Sequence, residues 1–126
     1  MQRHYHVNGA SAYVYWNMVL EPEGRSTWGW KQNAMVTVDP GTGKMVFNPE
    51  FYVMKHFSHF IDPGAVRLET KGHWAGNAVA FRNPDGRRIV VVGNGLGRTR
   101  NITLASAGET VAFELPPMSW NTFVLE

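Results

Sequence analysis

The chain has 126 residues, enough for one ordinary domain or one piece of a larger one, and 44% of them are hydrophobic. Twelve basic residues against ten acidic ones leave a formal net charge of +2, with no basic run or arginine stripe of the kind that grips nucleic acid. There is no cysteine, which excludes disulfides and thiolate metal sites, and no apolar run reaches the length of a membrane span.

In chain order, "MQRHYHVNG" reads as the end of a helix, with Asn8-Gly9 as its stop. His4 and His6 fall at this frayed end, and no signal-peptide h-region is visible there. Residues 10–20, "ASAYVYWNMVL", are almost continuously apolar, which predicts a strand buried on both faces, as in a parallel sheet. "EPEGRSTWGW" is a loop by composition. "AMVTVD" and "KMVFN", separated by "PGTG", predict a hairpin.

"NPEFYVMKHFSHFI" is the strongest helix signal. Asn48 suits the N-cap, Pro49 the first turn, and Glu50 the positive helix end. Phe51, Met54, Phe57 and Ile61 make one apolar face, widened by Phe60, and Asp62-Pro63-Gly64 ends the helix. After residue 65 the texture turns to short strands between turns: "AVRLET", "NAVAFR", "RIVVVGN", "RNITLAS", "TVAFEL" and "SWNTFVLE". This pattern predicts an antiparallel sandwich or part of one. The expected fold is therefore mainly β with one α-helix.

Several residues are candidates for chemistry. Glu21 and Glu23, at i and i+2, would lie about 6.5–7 Å apart on an extended backbone. Glycosidase carboxyl pairs are separated by roughly 5–9.5 Å. Pro22 and Gly24 nevertheless place both glutamates in a loop, where nothing evident desolvates them, so solvated carboxylates are favoured over a catalytic pair. His56 and His59 share a helix face without an acidic third ligand, and His73 belongs to a loop, so no metal site is expected. "GNGLGR" precedes a strand rather than a helix and reads as a turn. Asn101-Ile102-Thr103 is an N-glycosylation triplet. All five tryptophans are sugar-stacking candidates, though core packing is the better reading for any one of them; Trp16, Trp28 and Trp30 gain weight because all three sit around one loop.

"GASAYVYWNMVLEPEGRSTWGWKQNAMVTVD" followed by "NPEFYVMKHFSHFIDPGA" resembles the C-terminal part of glycoside hydrolase family 30, which includes glucosylceramidases, β-glycosidases and endo-xylanases. "NPDGRRIVVVGN" and "PPMSWNTFVLE" extend the likeness. The resemblance implies that residues 1–64 hold the last βα unit of a (β/α)₈ barrel, with residues 10–16 as its eighth strand, a β-hairpin insertion over 17–46 and a helix over 48–61. It further implies that residues 65–126 form a β-sandwich, incomplete because the family builds part of it from a segment preceding the barrel. The family's two catalytic glutamates lie on earlier strands, so this chain carries neither, and Glu21 and Glu23 match loop positions.

What carries over is a sugar-pocket rim: Trp16, Asn17 and Trp28 as substrate-binding residues. The implied function is that of a C-terminal piece of a retaining β-glycosidase. Its substrate would be a β-linked glycoside or oligosaccharide, with no cofactor, and the parent would be secreted or periplasmic. A strand deprived of its parallel neighbours favours self-association or pairing with the missing barrel portion. The alternatives are a self-standing carbohydrate-binding or interaction module and, behind it, a small glycosidase acting alone or as an oligomer.

Overall fold

In a computed structural model, Tyr5 and residues 7–126 are described. His4 and His6 lie outside them, as does most of the helix expected at the front; Gly9, its expected stop, has φ +60°. The chain divides into two units, Ala10–Lys55 and His56–Glu126 together with the described part of residues 1–9.

The first unit holds a three-stranded sheet of β1 (Val19–Leu20), β2 (Val36–Val38) and β3 (Met45–Phe47), in the order β1-β2-β3. β1 runs parallel to β2, pairing Val19 with Val36, and β2 pairs antiparallel with β3 as the predicted hairpin. Asp39 builds the turn. Its Oδ1 accepts the amides of Gly41 (2.8 Å) and Thr42 (2.9 Å), and these bonds hold its carboxyl below the usual carboxylate range.

The two-face-buried strand expected over residues 10–20 does not form. Only Val19–Leu20 is strand, and the preceding segment alternates between half-buried Tyr13, Tyr15 and Asn17 and exposed Val14, Trp16 and Met18. The physical reason is pairing. β1 is an edge strand with β2 on one side, and no second strand among the described residues supplies the other neighbour.

Helix α1 spans Pro49–Ser58, shorter than the expected 48–61. Asn48 occupies the position before it, and its carbonyl accepts the amide of Phe51 at 3.0 Å. The Asn48 side-chain amide donates instead to the carbonyl of Ala34 (2.8 Å) and to Thr37 Oγ1 (2.9 Å), tying the helix start to β2. Past the other end the amide of Ile61 still donates to the carbonyl of Phe57 at 3.0 Å. The buried Asn83 side-chain amide donates to the carbonyl of Phe60 and to Asp62 Oδ2, both at 2.9 Å, giving partners to groups at the helix end.

The second unit contains β4 (Val66–Leu68), β5 (Ala78–Arg82), β6 (Arg88–Asn94), β7 (Arg100–Ser106), β8 (Glu109–Leu115) and β9 (Ser119–Leu125). A four-stranded antiparallel sheet runs β4-β5-β6-β9, and β7-β8 is a separate hairpin. Six strands therefore fall on the six predicted runs.

β5 and β6 are buried on both faces, and their alternation divides the core. Val79, Phe81, Ile89 and Val91 pack with Phe57 of α1, backed by Tyr5, Phe60, Ile61 and Trp120. Ala78, Ala80, Val90 and Val92 pack with Leu115, backed by Ile102, Leu104, Phe113's neighbour Phe123 and Leu125. One face of the sheet thus meets the end of the helix and the other meets the β7-β8 hairpin, which is the sandwich arrangement.

Candidate functional site

The rim loop of the first unit is built from residues 16–34. Asn17 sits where the extended segment passes beside residues 33–35, and the amide of Met35 donates to its carbonyl at 3.0 Å. Its side-chain amide donates to Gln32 Oε1 at 3.1 Å. Trp16 precedes it through a cis peptide and is 78% exposed, with no aromatic ring partner among the described residues.

The loop from Arg25 to Lys31 is closed by a β-bridge between those two residues. Ser26 organises its interior. Its hydroxyl oxygen accepts the amides of Trp28 (3.3 Å) and Trp30 (3.2 Å), and its own amide donates to the carbonyl of Trp30 at 2.9 Å. Arg25 donates to the carbonyl of Gly29 at 3.0 Å. The result is an exposed pair of indoles, Trp28 and Trp30, with ring centroids 5.8 Å apart and planes inclined by 32°. The exposed aromatic faces held by this hydrogen-bonded loop offer an apolar surface to a ring-shaped ligand.

Glu21 and Glu23 are both exposed. Glu23 approaches Arg25 at 4.0 Å, a solvated contact of little energetic weight. Glu21 borders a cleft of about 340 Å³ whose other walls include Lys31, Gln32, Thr37, Asn48 and Glu50. Elsewhere in this unit burial pushes the Tyr15 phenol up, and the Glu50 carboxylate, which disfavours a second negative charge, adds to the effect. The Glu21–Glu23 pair, being exposed, lacks the desolvation that a catalytic acid requires.

The loop reading missed Ser26 and Gln32. Ser26 had a weak local signal, because serine hydroxyls bond nearby backbone groups in turns. Gln32 had none, since its partner is fifteen residues away.

His56 does not pair with His59 around an ion. Its Nδ1 lies 2.8 Å from Thr122 Oγ1, and burial lowers its pKa. Among the described residues no three His, Asp or Glu side chains come together. Asn101 of the glycosylation triplet is exposed on β7.

Comparison with known proteins agrees with this architecture. The structure superposes on SrfJ from Salmonella typhimurium with a TM-score of 0.80 at 27% identity, over 87% of this chain and 25% of that one. An endo-1,6-β-D-glucanase of Aspergillus fumigatus is 33% identical over 98 residues, covering 72% of this chain and 20% of that protein. The lysosomal acid glucosylceramidase of Mus musculus is 34% identical over 93 residues, covering 71% of this chain and 18% of that protein. The chain spans about a fifth of the length of these curated relatives. Residues 64–123 match the glycosyl hydrolase family 30 β-sandwich domain. The chain belongs to glycosyl hydrolase family 30 and carries that family's β-sandwich domain.

Proposed function

We propose that this chain acts as the C-terminal portion of a retaining β-glycosidase, supplying part of the sugar-pocket rim and the bracing sandwich. The observation that carries this reading is the exposed apolar row Val14, Trp16 and Met18, which leads into an edge strand already paired in parallel on one side. Apolar side chains on an open parallel edge suit a surface completed by further parallel strands. In this reading residues 1–64 are the last βα unit of a (β/α)₈ barrel, and residues 65–126 are the sandwich. Trp16 and Trp28 stack on the sugar, and Asn17, steadied by Gln32, donates or accepts at its hydroxyls.

The bond-breaking pair would come from the barrel portion. In a retaining enzyme one carboxylate attacks the anomeric carbon while the other protonates the leaving oxygen, and water then releases the sugar. The substrate class is a β-linked glycoside, as the names of the glucanase and glucosylceramidase relatives suggest. The exposed edge would be covered by the barrel portion or, in the isolated chain, by self-association.

The test is hydrolysis of aryl β-glycosides by the highly purified 126-residue chain. No turnover is expected. Robust turnover that disappears in Glu21→Gln or Glu23→Gln would overturn the reading.

The Trp28–Trp30 pair supports a second reading, a self-standing carbohydrate-binding module. Saturable tryptophan fluorescence changes with gluco- or xylo-oligosaccharides, lost in Trp28→Ala, are expected only for that module.

A further inference from the structure

The second unit contains a cavity of about 300 Å³ that is separate from the rim loop, lying between the segment after β4 and strand β7. Its walls include Thr70, Lys71, Trp74 and Ala78 on one side and Arg100 and Ile102 on the other. The volume is at the small end of ligand pockets. Two features distinguish it. Thr70 Oγ1 and Trp74 Nε1 are both shielded from solvent and find no hydrogen-bond partner in the protein. A buried polar atom without a partner is destabilising, and two on residues that line one cavity point to a function that retains them.

The charge of the walls narrows the ligand. No carboxylate lines the cavity. Arg100 has its guanidinium carbon 5.3 Å from the centroid of the Trp74 ring and forms no ion pair among the described residues. Lys71 adds a second cation at the exposed rim, where it pairs with Glu69 at 3.3 Å. The indole N–H and the guanidinium can only donate, while the hydroxyls of Thr70 and Thr103, the Asn101 amide and the His73 ring in the lining can donate or accept. Donors around an arginine without an ion-pair partner, with no carboxylate in the walls, are complementary to an oxyanion.

We propose that this cavity binds a small oxyanion, either the carboxylate of an acidic sugar or a sulfate-type group. Arg100 supplies the charge, and the Trp74 N–H and the Thr70 hydroxyl supply directed hydrogen bonds. Binding in this form requires a local rearrangement that uncovers the two shielded donors. The site is independent of the rim and of the glycosidase reading.

The test is NMR titration of the full chain, following the indole N–H resonance that Trp74→Phe identifies among the five tryptophans. The probes are sodium sulfate and glucuronate at constant ionic strength, with glucose as the neutral control. Saturable movement of the Trp74 resonance with either anion, and none with glucose, is expected. Sulfate alone would identify an inorganic or ester anion, and glucuronate alone an acidic sugar.

Arg100→Gln should weaken binding about tenfold or more, the scale of one lost charge-assisted hydrogen bond. Thr70→Val, which removes an unpartnered hydroxyl without changing shape, should weaken binding while leaving thermal stability equal or higher. No movement with either anion, equal movement with glucose, or full affinity in both Arg100→Gln and Thr70→Val would overturn the proposal.

Discussion

His56 Nδ1 lies 2.8 Å from Thr122 Oγ1, which fastens the last turns of helix α1 to the middle of strand β9. Burial disfavours the charged imidazole and lowers its pKa in the folded chain. The unfolded chain titrates near the ordinary histidine value of about 6.5. Below that value the unfolded state takes up a proton that the folded state resists, so stability should fall as pH drops from 7.5 towards 5.5. Urea midpoints across this range test it. His56→Gln should flatten the slope, and a slope unchanged in that variant would show that other groups set it.

Asn94 is the second expected point of sensitivity. It is 1% exposed, and its side-chain amide reaches the carbonyls of Arg98 (2.9 Å), Leu115 (3.2 Å) and Pro116 (2.8 Å). Its Oδ1 accepts the amide of Leu96 at 3.1 Å. One side chain thus holds the "GNGLGR" turn against the end of β8. Asn94→Ala removes the donor to the buried Leu115 carbonyl and to the part-buried carbonyls of Arg98 and Pro116, and should cost about 2–4 kcal/mol, given roughly 1–3 kcal/mol for a single unsatisfied buried group. Denaturant unfolding measures this, and a loss under about 0.5 kcal/mol, the range of ordinary surface changes, would refute it.

These two relationships mark what was legible in the sequence. The strands from Val66 onward were readable because local turn residues bound them and their pairing partners are in the chain. "RIVVVGN" and "RNITLAS" coincide with β6 and β7. Residues 10–18 have a similar apolar density, yet they form no strand, because burial depends on neighbours that composition does not report. Asn94 falls in the "GNGLGR" turn, and Asn83 opens "NPDG", a composition typical of turns. Their work as buried clamps rests on partners about twenty residues away. Trp74, in the segment before β5, and Arg100, at the start of β7, come together because the β7-β8 hairpin packs on one face of the four-stranded sheet, so neither "KGHWAG" nor "GRTRN" hinted at a shared cavity.

Exposure separates stability from function among the large apolar residues. Ile89 is fully buried against Phe57, Val79 and Val91. Ile89→Ala should cost about 2–5 kcal/mol through lost burial and a residual cavity. Trp16 is 78% exposed, so Trp16→Ala should change the stability of this chain by no more than about 0.5 kcal/mol. Paired thermal melts test the contrast. A strongly destabilised Trp16→Ala would mean that the indole is packed in solution, by self-association or otherwise.

The rim loop depends on a close approach at Gly24. A Cβ there would stand 2.9 Å from Leu20 Cβ and 3.1 Å from the carbonyl oxygen of Glu21, so backbone or side chain must shift. The Gly24 carbonyl accepts the amide of Gln32 at 3.1 Å, next to the Arg25–Lys31 bridge that closes the tryptophan loop. Gly24→Ala should therefore loosen the Trp28–Trp30 pair while leaving the second unit intact. The expected signature is a change in near-ultraviolet circular dichroism from the coupled indoles, with little change in hydrogen-exchange protection over β5 and β6. Ser26→Ala removes the acceptor for both tryptophan amides without adding bulk, and should give the same signature. If both variants leave the indole signal unaltered, the loop does not depend on these contacts and the rim loses its structural basis.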